Sequence, residues 1–107
     1  MINDVTTWIS VQLAAVASQV VFARLFGSVA SGSRSPSDCD ILIVSDADPE
    51  SLEWRLLRTR LRDVSKAFRD QFSIQLSTTL LTPAELVSLD QYIATLIPCV
   101  DFMRRPK

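Results

Sequence analysis

Two aspartates, Asp38 and Asp40, open an apolar run that continues Ile41-Leu42-Ile43-Val44. At i and i+2 of an extended chain, both carboxylates leave the same face of a strand. Left bare at that spacing they repel each other, and a divalent cation between them cancels the repulsion. Mg2+ suits such a pair, because it takes oxygen ligands and usually binds through one or two carboxylates plus substrate phosphates. Upstream, Gly27-Ser28 ends another apolar run, Val20-Val21-Phe22-Ala23-Arg24-Leu25-Phe26. A glycine at that point lets the backbone turn and approach a ligand closely. The amides after it and the Ser28 hydroxyl can donate hydrogen bonds to phosphate oxygens, helped if a short helix starts there. Gly32 keeps the following turn free of bulk. Alone, a Gly-Ser pair is usually an ordinary turn and an Asp-x-Asp a solvated strand end. Combined, and with the two strands pairing, they form a place for a nucleoside triphosphate, its phosphates on the turn and Mg2+ on the carboxylates. That arrangement suits metal-assisted in-line displacement at phosphorus.

The rest of the composition narrows the chemistry. The chain has no histidine, and Cys39 and Cys99 are isolated, which excludes the usual zinc sites and His-dependent triads. A length of 107 residues with 48% hydrophobic and 21% charged residues predicts one folded domain, residues 1–107. Positive mean hydropathy in so small a domain predicts an apolar patch that a partner or second copy buries. No apolar stretch approaches the roughly 20 residues needed to span a bilayer, and the first residues lack the cationic start of a signal peptide, so a cytoplasmic protein away from the membrane is expected. With a net charge of −1 and no long basic run, non-specific nucleic-acid binding is not suggested. The cations gather in Arg55, Arg58, Arg60, Arg62, Lys66 and Arg69 and in a tail of Arg104, Arg105 and Lys107. The first group reads as a solvated helix face, or else as a surface that docks a partner or faces phosphate.

The elements that position the site follow from periodicity. Val5, Trp8, Ile9, Leu13, Val16 and Val20 recur at helical spacing, predicting a helix over 3–19 capped by Asn3 or Asp4. Strands follow at 20–26 and 38–44, around a polar turn at 28–35. Asp48 as cap and Pro49 in the first turn predict a helix to about residue 69, with Leu52, Leu56, Leu57, Leu61, Val64 and Phe68 as its apolar stripe. Alternation predicts a strand over 72–81, with Phe72, Ile74 and Leu76 on one face and Ser73, Gln75, Ser77 and Thr79 on the other. Thr82-Pro83-Ala84-Glu85 is a capping box for a helix to about Thr95, and a strand at roughly 97–103 ends the chain. The fold class is α/β (α+β), a small mixed sheet flanked by helices.

Gly27-Ser28, Gly32, Ser37-Asp38, Asp40 and Val44 together resemble the signature of the DNA polymerase β-like nucleotidyltransferase superfamily, and the element order and short length resemble its minimal nucleotidyltransferase (MNT) branch. The resemblance implies that Gly27 and Ser28 bind the triphosphate of ATP or another NTP and that Asp38 and Asp40 bind two Mg2+. It also implies a helical partner protein of the HEPN family. Some members of the branch are antitoxins that neutralise this partner, in certain cases by transferring AMP to it. Two departures stand out. Many relatives carry an arginine directly after the Gly-Ser pair or two residues later, where this chain has Val29 and Ser31; Arg34 is a candidate substitute. Relatives also place a third, catalytic carboxylate on the next strand. Here Gln75 stands at that place, with Ser77 the other candidate, and neither can act as a base. Asp101 is the nearest acid by type. Two functions are therefore expected in competition: a Mg2+-dependent transferase acting on a protein, and an impaired module that regulates a partner by binding it. The residues Tyr92, Ile93, Leu96 and Ile97 form either core or a surface for a homo- or hetero-oligomer.

Overall fold

The computed structural model describes residues 2–27, 29–30, 32, 38–87 and 99–105. The readings of Ser28, Ser31 and Arg34, and of Tyr92, Ile93, Leu96 and Ile97, lie outside the described residues.

Hydrophobic residues in strand-forming runs build a four-stranded sheet. Its strands are β1 (Val20–Phe26), β2 (Asp38–Ser45), β3 (Gln75–Leu81) and β4 (Cys99–Arg104), in the order β3-β2-β1-β4. β1 runs antiparallel to β2 and to β4, whereas β2 and β3 are parallel. A parallel pair needs a long crossover, and helix α2 (Leu52–Phe72) supplies it. The sheet is mixed, as expected.

The two sheet faces differ in cover. Ala23, Leu25, Cys39, Ile41, Ile43 and Leu76 face helix α1 (Ile2–Gln12), the 3-10 segment Ala14–Gln19 and α2, in a core that includes Val5, Ile9, Leu13, Leu57, Val64 and Phe68. Trp8 meets the rings of Phe68 and Phe72 edge-on at 5.7 and 5.8 Å. On the opposite face Phe22, Leu42, Val44 and Leu81 form a smaller cluster, against which Leu86 packs. Leu86 belongs to helix α3, described over residues 83–87. Its capping box is formed as expected: the Glu85 amide donates to Thr82 Oγ1 at 3.2 Å, and the Thr82 amide donates to Glu85 Oε1 at 3.0 Å.

Several expectations are corrected. The helix expected over 3–19 is α-helical only to Gln12, then tightens into 3-10 geometry, although Val5, Ile9, Leu13 and Val16 are buried as anticipated. Asn3 and Asp4 lie inside its first turn and do not precede it. Ser51, not Asp48, caps α2, accepting from the Trp54 amide at 3.2 Å. Asp48 instead closes a preceding turn, its carboxylate accepting from the Glu50 amide at 2.8 Å. Shifting the start places Trp54 in the buried stripe and leaves Leu52 and Leu56 64% and 51% exposed. α2 also runs on to Phe72, so β3 begins three residues later than expected. Ser73 ends the helix in the left-handed conformation (φ 62°), its amide bonded to the Arg69 carbonyl.

Candidate active site

Strand alternation separates three consecutive side chains at the start of β2. Cys39 turns into the helical core and is fully buried, while Asp38 and Asp40 remain partly exposed on the other face. Burial, with the charges of Asp40 and Asp38, pushes the Cys39 thiol up to about 12. It stays a protonated core thiol and serves as no nucleophile. Burial also raises the Asp40 carboxyl above its usual value, and the neighbouring Asp38 charge adds to the effect. The repulsion expected from the spacing is thus visible in the electrostatics of the fold.

Register brings neighbours to this pair from both sides. Phe26, the last residue of β1, stands opposite Asp40, so the chain turns at Gly27 beside that carboxylate. Gly27 has φ +82°, and a Cβ there would sit 2.7 Å from Asp40 Oδ2. The positive φ favours a glycine, and any Cβ there would oblige the Asp40 carboxylate to move. Gly32 has φ +76°, but a Cβ there would meet nothing within 4 Å among the described residues. Its glycine is required by backbone conformation, in a turn closed by its amide on the Val29 carbonyl at 3.0 Å, and not by crowding. On the other side, Gln75 stands opposite Asp38 and Ser77 opposite Asp40. In a parallel pair these side chains share one face. Gly27, Asp38, Asp40 and Gln75 are therefore brought together; Ser77 joins them, and Gly32 lies further along the turn.

Asp101 is not brought to the pair. It lies on β4, opposite Arg24 of β1, and Arg24 Nε donates to its Oδ1 at 2.7 Å while Arg104 approaches Oδ2 at 3.3 Å. Asp40 and Asp101 are separated by β1, about 10 Å across two strand spacings and about 7 Å along the strands. The hydrogen bond from Arg24, followed by its charge and by Arg104, keeps the Asp101 carboxyl below the usual range. The hydrophobicity of the surrounding run hides Arg24. It is the one polar residue in Val20–Phe26 and shares the parity of Phe26 and hence of Asp40, so it places a cation on the acid face. Its guanidinium lies 5.2 Å from the centre of the Phe22 ring.

The donor set fits Mg2+ of the substrate-carried kind. Two carboxylates sit one pleat apart, a neutral amide and a hydroxyl stand opposite, and the glycine turn leaves room against Asp40. Among the described residues no group of three or more His, Cys, Asp or Glu gathers to hold a metal on its own. Such a site would hold ions chiefly together with the phosphates they accompany.

Residues 11–92 match the family model described as "Polymerase beta, Nucleotidyltransferase". No curated protein is a significant match to the sequence. Among solved structures, the fold is similar to a crystal structure of a protein provisionally named a nucleotidyltransferase, with a TM-score of 0.51 and 22% identity over 89% of this chain and 94% of the other. At that identity the likeness speaks for the fold. It agrees with the mixed sheet and flanking helices described above.

Proposed function

Because the chain belongs to the polymerase β nucleotidyltransferase family, we propose that it transfers a nucleoside monophosphate, AMP from ATP, to a hydroxyl of a partner protein. We place it as the MNT antitoxin of a pair whose toxin is an HEPN-family protein. The observation that carries the reading is the half-buried Asp38–Asp40 pair with the Gly27 turn held against it.

In this reading the acceptor oxygen bonds to the α-phosphorus as the bond from that phosphorus to the bridging oxygen breaks. Pyrophosphate leaves, and the hydroxyl proton passes to water. Mg2+, when bound, would neutralise the phosphate charge and polarise the reacting oxygens. Asp38 and Asp40 would hold it, the Gly27-Ser28 turn would donate amides to the triphosphate, and Gln75 would contribute a neutral oxygen.

The experiment is incubation with labelled ATP, Mg2+ and the product of the neighbouring reading frame. Label should appear on that protein and vanish with Asp38→Ala combined with Asp40→Ala. A tight complex that stays unlabelled in both forms would refute transfer and favour the second reading, a module that neutralises its partner by docking. One observation speaks for that alternative: the residues opposite Asp38 and Asp40 are Gln75 and Ser77, neither a carboxylate. Gln75→Asp and Ser77→Asp, tested side by side, separate the two positions. The one that restores a missing anion should raise transfer at limiting Mg2+.

A further inference from the structure

A cleft of about 750 Å³ runs between α2 and β3 on the far side of β3 from the acid pair. Its floor and walls include Trp54, Leu61, Thr78 and Leu80, and Arg58 and Arg62 stand over it one helical turn apart. Among the described residues neither arginine makes an ion pair or a side-chain hydrogen bond, and both are exposed. β3 is an edge strand: it pairs with β2, and its other side meets no strand among the described residues. Glu85 lines one end of the cleft, but its carboxylate is turned to the Thr82 amide by the capping box.

We infer that the outer edge of β3 and this cleft receive an extended acidic segment of a partner polypeptide, added to the sheet as a further strand. Two independent features point to that occupant. An exposed strand edge carries unpaired amides and carbonyls that recognise extended backbone. Two guanidiniums with no anion partner among the described residues recognise carboxylates, bidentately where geometry allows. A segment on this edge has alternating side chains. Those facing the helix layer, beside Thr78 and Leu80, enter the cleft under Arg58 and Arg62. Those between them lie on the face of Gln75 and Ser77, which stand opposite Asp38 and Asp40.

That alternation gives the inference its link to the proposed transfer, on which this part of it rests. A residue paired with Ser77 on the added strand lies two strand spacings from Asp40, on the order of 10 Å. The gap leaves room for a nucleotide phosphate between Asp40 and an incoming hydroxyl. The cleft therefore selects acidic residues at odd spacing from the acceptor hydroxyl, and the edge strand aligns that hydroxyl with the acid pair.

Binding and transfer are read separately. The probe is a fluorescein-labelled pool of dodecapeptides in which Glu alternates with Ser, Thr or Val, compared with the same pool carrying Lys for Glu. Fluorescence anisotropy with the full chain, without nucleotide, should show the Glu pool bound and the Lys pool not. Arg58→Glu with Arg62→Glu should weaken the Glu pool at least tenfold; circular dichroism should stay unchanged, since neither side chain is bonded to another described residue. No binding of the Glu pool at millimolar protein, or binding indifferent to the double substitution, overturns the inference. So does a dimer in sedimentation that the double substitution dissociates, because a second copy would then occupy the edge. Preferential binding of single-stranded RNA through the same arginines overturns it equally. With ATP and Mg2+ present, single peptides with Ser at odd spacing from Glu should label faster than separately made peptides with Ser at even spacing. Equal labelling overturns the alignment. Binding without any labelling, with the neighbouring gene product also unlabelled, instead refutes the proposed transfer and leaves the docking intact.

Discussion

Gly27→Ala tests the relation between the glycine turn and Asp40, and Gly32→Ala is its internal control. Both glycines have positive φ, +82° and +76°. An alanine at either pays the left-handed penalty of about 1–2 kcal/mol. Only at Gly27 does the new Cβ collide with something, Asp40 Oδ2 at 2.7 Å. A short carboxylate can swing away, and leaving its rotamer by some 30° costs about 0.5–1.5 kcal/mol. Gly27→Ala should therefore destabilise by about 1.5–3.5 kcal/mol and Gly32→Ala by about 1–2 kcal/mol. For a domain of this size the difference, about 0.5–1.5 kcal/mol, is a gap in melting temperature of about 2–12 °C. The assay is a double-mutant cycle by thermal denaturation, adding Asp40→Ala to each alanine variant. Without the Asp40 carboxylate the two glycine substitutions should cost the same. Equal costs in the wild-type background, or a gap that survives Asp40→Ala, would refute the reasoning. Gly27→Ala should also displace the carboxylate needed for Mg2+, so the rise in melting temperature with Mg2+ and a non-hydrolysable ATP analogue should shrink in that variant and persist in Gly32→Ala.

Three other outcomes follow from the same geometry. Asp40→Asn should raise the melting temperature at neutral pH without Mg2+. The raised carboxyl makes wild-type stability greatest below the unfolded value of 3.8 and lets it fall as pH rises through the higher folded value, so the gain should vanish under acid conditions and grow upward from there; a gain independent of pH contradicts the assignment. In a Cys99→Ser background, the Cys39 thiol should resist an aromatic disulfide reagent at pH 8 until the chain is unfolded, since it is fully buried and its titration is pushed to about 12; rapid modification of the folded form would show the core open. Ser51→Ala should cost about 1 kcal/mol by denaturant unfolding, as expected of an N-cap, and Asp48→Ala less; the reverse order would move the start of α2 back to Asp48.

The acid face was legible because its rules are local. Alternation alone places Asp38 and Asp40 together and turns Cys39 away, and a glycine at the end of a buried run signals a turn. Gln75 was found for the same reason: parity along Ser73-Gln75-Ser77 survives even though the strand starts later than its hydrophobicity suggested. The misses are tertiary. Leu52, Leu56 and Trp54 all suit a helix face, and only the placement of α2 against the sheet decides that Trp54 is buried. Nothing between Gln12 and Ala14 breaks a helix, so the change to 3-10 geometry has no residue-level signal. Asp101 is acidic and near the end of the chain, but only the β1–β4 register assigns it to Arg24.

The distribution of charge on the acid face bears on the choice between transferase and docking module. Asp40 is disfavoured as an anion by burial and by Asp38, and Gly27 adds the backbone entropy that glycine loses on folding. For a surface that only docks a partner, neutral side chains at these positions would stabilise the chain. Positive charge brought between the carboxylates would relieve that cost, and the β2 and β3 strands carry no lysine or arginine of their own. Arg24 on β1 is already engaged by Asp101. A divalent cation arriving with phosphates would bring that charge, and Gln75 and Ser77, as neutral oxygen donors, would leave the site dependent on the nucleotide to complete its anionic shell. On the proposed function, that electrostatic cost bears on metal–nucleotide binding more directly than on the chemical step. The step itself turns on whether an acceptor hydroxyl held at the β3 edge can lose its proton without a carboxylate at Gln75 or Ser77.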